Sequence, residues 1–135
     1  KYTDSEINYA NTILKETGKE LKGLDGTIKP LRPTLPATGG STDVGDVSQV
    51  VPVVRLRTTT AAKDGPWHSW AVVACTGMSI GHKGMIYASK ALAMTMLDLY
   101  KNPKLIDGVR KEFVVRKGDR VYVPQIPPGP PKLID

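Results

Sequence analysis

Two histidines and one cysteine are all the imidazole and thiol chemistry that this 135-residue chain contains. His68 stands in Trp67-His68-Ser69, at the end of a polar loop and just before an apolar run. Neutral imidazole binds zinc readily, and a ligand at a strand edge is rigidly held. On spacing alone the more ordinary reading is that it packs beside Trp67 and Trp70 as a partly buried histidine. His82 lies in Ser79-Ile80-Gly81-His82-Lys83-Gly84, in the first turn of a long helical pattern. That position suits either a hydrogen-bonding role or a plain surface turn. Gly39-Gly40-Ser41-Thr42-Asp43-Val44-Gly45-Asp46 is the most unusual stretch. Its glycines admit close backbone approach, Ser41 and Thr42 can donate hydrogen bonds, and Asp43 and Asp46 can orient a histidine or a cation. It lacks the Gly-Lys-Ser/Thr ending of a phosphate loop and the alternating acids of a calcium loop, so it also reads as an ordinary loop. Cys75 sits in an apolar run and reads as an inert core residue.

These residues do not complete a hydrolytic site. The sequence has no His-x-His, His-x-Asp, His-Glu-x-x-His or adjacent pair of glutamates, and no Gly-x-Ser-x-Gly elbow. No catalytic residue is assigned within the chain.

The elements that would position these side chains read as strands alternating with helices. Thr3 followed by Glu6 is a capping box, so a helix is expected from about Asp4. Ile7, Ala10, Leu14 and Leu21 form its apolar stripe, and Gly18 or Gly23 marks its end. Gly23 to Gly45 is loop-like, with Pro30, Pro33 and Pro36 favouring extended backbone. The β-branched stretch Val47 to Thr60 predicts one or two strands, and Trp70 to Cys75 another. A helix apolar nearly all round runs from Ser79 or Gly81 to about Lys101, a pattern expected between a sheet and another layer. Asn102-Pro103 opens a basic helix that Gly118 stops, and Val121 to Val123 predicts a last strand. Pro124 to Pro131 holds five prolines. The expected class is α/β: a mixed sheet flanked by helices over residues 1–123, then a Pro-rich tail over 124–135.

Charge and composition exclude several classes. The net charge of +6 divides into +2 for residues 1–100 and +4 for residues 101–135. Asp107, Glu112 and Asp119 interrupt the basic end, and only Phe113 and Tyr122 could stack on bases, so no nucleic-acid partner is expected. The longest apolar stretch, Met85 to Leu99, is broken by Ser89, Lys90, Thr95 and Asp98, so no membrane partner is expected either. One cysteine excludes an internal disulfide and a Cys-x-x-Cys site, and a cytoplasmic location is expected. The chain opens on Lys1 with no starter methionine or signal peptide, and it is expected to be a piece of something longer.

Two segments together resemble the C-terminal part of the dinuclear-zinc aminoacylase/carboxypeptidase-type metallopeptidases. The first, Gly40-Ser41-Thr42-Asp43-Val44-Gly45-Asp46-Val47-Ser48, resembles the family's Gly-Ser-x-Asp loop. The second is Trp67-His68-Ser69-Trp70 running into Ser79-Ile80-Gly81-His82-Lys83-Gly84-Met85. Within the family the likeness is to the branch that cleaves aminobenzoyl-glutamate. The resemblance implies a catalytic α/β domain interrupted by a lid domain, assembled as a homo- or hetero-oligomer. It implies two zinc ions, or manganese or cobalt, that bridge a water, and a glutamate that takes its proton as it attacks an amide carbonyl. By that likeness His68 is a metal ligand, while Ser41, Thr42, Asp43 and Asp46 line the substrate pocket or back the ligands; His82 matches no family motif and is a candidate for a substrate carboxylate from its place at a helix N-terminus. The implied substrate is an N-acyl amino acid or short peptide. The family's other ligands and its glutamate base have no counterpart here, so the chain alone is expected to bind zinc weakly and hydrolyse nothing. A non-catalytic interaction or binding module sharing the fold is the alternative.

Overall fold

Thr3 begins the first helix as its sequence requires. In the computed structural model, which describes residues 1–31, 42–124, 126 and 129–130, Thr3 has extended backbone. Its hydroxyl accepts from the Glu6 amide at 3.3 Å, while the Glu6 carboxylate accepts from the Thr3 amide at 2.7 Å. Helix α1 (Asp4–Glu16) follows, and Gly18 leaves it at φ 66°. Ala10, Ile13 and Leu14 are buried along it, whereas Leu21 lies beyond its end and is exposed.

Four more helices complete the order: α2 (Val44–Val50), α3 (Trp70–Thr76), α4 (Ser79–Lys101) and α5 (Pro103–Lys117). The long apolar helix and the Pro-led basic helix stopped by Gly118 form where the sequence places them.

The expected α/β fold with a mixed sheet is not formed: the described residues contain helices and no strand. Trp70 to Cys75 is helical because its small residues fall four apart. Ala71 and Cys75 are buried on one face while Trp70 and Val73 are exposed, a helical and not an alternating pattern. A six-residue apolar run cannot be assigned by periodicity alone. Val47 to Thr60 is likewise divided, with Val44–Val50 in α2 and residues 51–60 irregular. β-branched side chains favour a pleated surface only where neighbouring strands take up their backbone groups, and none is present among the described residues. Val121 to Val123 is irregular for the same reason.

The chain divides into two compact units, Lys1–Leu35 with Arg55–Tyr100, and Pro36–Val54 with Lys101–Asp135. In the first, α1 packs on α3, and Ala10, Ile13, Leu14, Ala62, Ala71, Cys75 and Ile80 form the core. Cys75 is fully buried, as its apolar setting implies. The start of α4 enters this core closely. A Cβ at Gly84 would stand 2.6 Å from the Thr59 carbonyl oxygen and 2.7 Å from Thr60 Cγ2, and one at Gly81 would overlap the Thr76 backbone. In the second unit, α2 and α5 bury no residue fully. Among the described residues no helix is long and apolar enough to cross a membrane.

Glu6 ties the two helix starts of the first unit together. Beyond its cap bonds, it accepts from Ser79 Oγ at 2.6 Å and from Lys83 Nζ at 2.7 Å. The Lys83 ammonium, then the Ser79 hydroxyl and the Thr3 amide, hold its carboxyl down at about 2, against an ordinary 4.5. A carboxylate depressed on folding contributes stability that is complete above its unfolded pKa and lost as pH falls through the folded one. Thermal melts from pH 5 to pH 2 are therefore expected to show a larger loss in the wild type than in Glu6→Gln, which keeps only the other depressed carboxylates such as Asp25 and Asp64. Equal pH slopes in the two proteins would contradict this role.

Candidate functional site

The turn that carries His68 is held from both sides. Before it, the Lys63 amide donates to the Gly23 carbonyl at 2.8 Å, and Lys22 pairs with Asp64 at 2.9 Å. Asp64 takes φ 59° and the Gly65 amide donates back to Ala62 at 3.2 Å. After it, Ser69 caps α3 with extended backbone, and its hydroxyl donates to the Pro66 carbonyl at 2.6 Å. Between these anchors His68 adopts φ 58°. Left-handed backbone costs a non-glycine residue roughly 1–2 kcal/mol, so the flanking contacts must impose it.

His68 is exposed, as are Trp67 at 69% and Trp70 at 54%. It is therefore not the partly buried histidine beside Trp67 and Trp70 that the ordinary reading of its setting expects. Nor does it sit at a strand edge, since α3 follows it. Its imidazole stands on a strained turn, open to a ligand. A shallow apolar hollow formed by Ala62, Gly65, Pro66, Trp67, Ala71 and Val72 lies beside the turn.

His82 is the fourth residue of α4 and is exposed. Its own amide is already spent on the Met78 carbonyl at 3.1 Å, so only its side chain could reach a ligand. Next to it in sequence, Lys83 is engaged by Glu6, and its ammonium also lies 5.9 Å from the centre of the Tyr2 ring. The Tyr2 hydroxyl in turn donates to the Thr59 carbonyl at 3.0 Å. In sequence, Glu6 reads only as half of a capping box. The further signal is Ser79 and Lys83, four apart on α4 with no acid nearby to balance Lys83.

The remaining site candidates belong to the second unit. Ser41 lies outside the described residues, as do most of the Pro-rich tail and the glycine pair before Ser41. Thr42 turns the chain into α2, accepting from the Val44 amide at 3.4 Å and, through its carbonyl, from Gly45 at 2.9 Å. Asp43 is the N-cap residue but makes no side-chain cap bond. Asp46, in the first turn of α2, takes a hydrogen bond from the Tyr122 hydroxyl. Partial burial, then the Asp46 charge, push the Tyr122 phenol above its ordinary value. A cleft lined by Asp46, Gln49 and Arg120 to Val123 opens there.

The donor set does not fit a dinuclear metal centre. Among the described residues no three histidine, cysteine, aspartate or glutamate side chains converge where they could hold a metal ion. Each zinc wants about four ligands, and the turn offers one imidazole.

The curated proteins this chain matches are peptidases of one family, hydrolases by name. It is 35% identical over 89 residues to a subunit of the p-aminobenzoyl-glutamate hydrolase of Escherichia coli (strain K12), covering 66% of this chain and 18% of that protein. It is 39% identical over 74 residues to Xaa-Arg dipeptidase of Mus musculus, covering 55% of this chain and 17% of the relative. The chain thus spans less than a fifth of the length of either. No family model matches it, and no solved structure does.

Proposed function

We propose that this chain is the C-terminal part of a metal-dependent amidohydrolase or peptidase that cleaves the amide bond of an N-acyl amino acid, aminobenzoyl-glutamate-like, and that it is inactive alone. The observation that carries the reading is the 35% identity over 89 residues to the p-aminobenzoyl-glutamate hydrolase. Residues 1–123 form the closing portion of the catalytic domain in this reading, ahead of the Pro-rich tail. His68, exposed on its imposed left-handed turn, contributes one ligand to a zinc, manganese or cobalt ion. Strain held at a single exposed histidine by its neighbours supports a binding role over a packing one. Ser41, Thr42, Asp43 and Asp46 line the substrate pocket, and His82 meets a substrate carboxylate. The remaining ligands and the general base come from the rest of the catalytic domain, and a lid domain and a second protomer complete the enzyme.

Zinc titration of the 135-residue chain by calorimetry tests this division of ligands. One imidazole, with no group of three donor side chains among the described residues, leaves the metal mostly hydrated, so only weak binding is expected, abolished by His68→Ala. Tight binding of two zinc ions by the isolated chain would refute the reading.

A further inference from the structure

The cleft between α2 and the segment after α5, both in the second unit, keeps two opposite charges apart. Asp46 and Arg120 line it with Gln49, Val121, Tyr122 and Val123, around a volume of about 440 Å³. Small-molecule sites occupy roughly 300–1,000 Å³, so the space suffices for one small ligand. Elsewhere exposed acids and bases close on each other: Lys22 on Asp64 at 2.9 Å, Lys29 on Asp25 at 2.7 Å. Asp46 and Arg120 do not, and neither enters an ion pair among the described residues. Each is held by its own wall. Arg120 donates Nε–H to the Lys117 carbonyl at 3.0 Å and an Nη2–H to the Arg116 carbonyl, which ties its guanidinium to the end of α5. A guanidinium has five N–H groups, so donors remain beyond these two. Asp46 accepts from the Tyr122 hydroxyl, and its carboxylate keeps further lone pairs open. Gln49, almost one turn along α2, adds an amide that both donates and accepts.

We infer that this cleft binds a free α-amino acid, with its carboxylate on Arg120 and its ammonium on Asp46. A guanidinium fork matches a carboxylate through two parallel hydrogen bonds. An ammonium has donors only and needs an anionic acceptor, which Asp46 supplies. The same Asp46 charge disfavours a dianion such as phosphate, and Arg120 disfavours a simple cation. A zwitterion satisfies both walls at once. Val121 and Val123 offer an apolar lining to its side chain. The inference stands on the cleft and needs neither His68 nor a metal. Within the hydrolase reading it adds a distinction: an N-acyl amino acid has an uncharged amide nitrogen and leaves Asp46 without a cation. The cleft therefore favours the amino acid that amide cleavage releases over the acylated compound that it consumes.

Amide chemical shifts of the nitrogen-labelled 135-residue chain, titrated with three related compounds, test the assignment. L-leucine carries both charges, N-acetyl-L-leucine lacks the ammonium, and L-leucinamide lacks the carboxylate. Saturable shifts centred on residues 46–49 and 120–123 are expected with L-leucine. Each analogue should bind about tenfold more weakly, the scale of one lost charge-assisted contact. Arg120→Gln should erase the preference for L-leucine over L-leucinamide and keep that over N-acetyl-L-leucine; Asp46→Asn should do the reverse. Both side chains are exposed, so the fold should tolerate either change, and the comparison of ligands on the wild type stands without them. Equal affinity for the three compounds, shifts confined to other residues, or no saturable shift with L-leucine would overturn the inference. No metal or turnover enters the measurement, so its failure leaves the hydrolase reading standing, and absence of amide cleavage leaves the amino-acid site standing.

Discussion

Replacing His68 by alanine in the product of the natural reading frame is expected to lower amide hydrolysis by about 100-fold or more. Loss of groups that merely orient a metal ligand costs roughly 10–100-fold, and loss of the ligand itself costs at least that. The fold should survive, because the side chain is exposed and its neighbours set the turn through their own bonds: Lys63 to Gly23, Gly65 to Ala62, and Ser69 to Pro66. A second substitution separates chemistry from folding. His68→Gly removes the steric cost of φ 58° and should raise stability by up to about 1 kcal/mol while abolishing turnover equally. Steady-state assays and denaturant titrations of both variants check the pair. Near-wild-type activity of His68→Ala would remove His68 from the ligand set.

Gly84→Ala is expected to lower stability, against the usual sign of this change in a helix. In an open helix the change gains about 0.8–1 kcal/mol, since alanine restricts the unfolded chain and prefers the helix. Here the new methyl would stand 2.6 Å from the Thr59 carbonyl oxygen, a backbone atom that also accepts the Tyr2 hydroxyl. Overpacking of that kind costs about 1–3 kcal/mol, which exceeds the propensity gain. The net result should be a loss of stability, carried by displacement of residues 59–60 or of α4. Gly108, in α5, has nothing within 4 Å of its added Cβ. Gly108→Ala should therefore stabilise by up to about 1 kcal/mol. Denaturation midpoints of opposite sign for the two variants are the expected result; the same sign for both would contradict the close approach at Gly84.

The sequence carried some of this structure and concealed the rest for physical reasons. Helix α1 was legible because Thr3 and Glu6 satisfy each other locally. The long helix and its Pro-led successor were legible because their apolar runs and Asn102-Pro103 need no distant partner to be recognised. The strands failed because β-branched composition is a preference for a sheet that other chain segments must supply. Val47 to Thr60 has no such neighbour among the described residues, and Val44–Val50 closes on itself as α2, with Asp46 near its positive end. Trp70 to Cys75 failed because six apolar residues suit either structure until Ala71 and Cys75 are seen on one face. Of the site, the exposed His68 was legible as a candidate from its type and setting. Its left-handed backbone was not, since nothing in Trp67-His68-Ser69 requires it; the flanking bonds do. The junction of Glu6, Ser79 and Lys83 joins residues more than seventy positions apart, which no local pattern could reveal.

In the proposed reading these residues are one portion of an amide-cleaving catalytic unit and complete no site by themselves. Its most direct test is an assay of aminobenzoyl-glutamate cleavage by two zinc-loaded samples, this 135-residue chain and the product of its whole natural reading frame. Turnover by the longer product with none from the shorter is the expected result. Turnover by the 135-residue chain itself, or by neither, would contradict it.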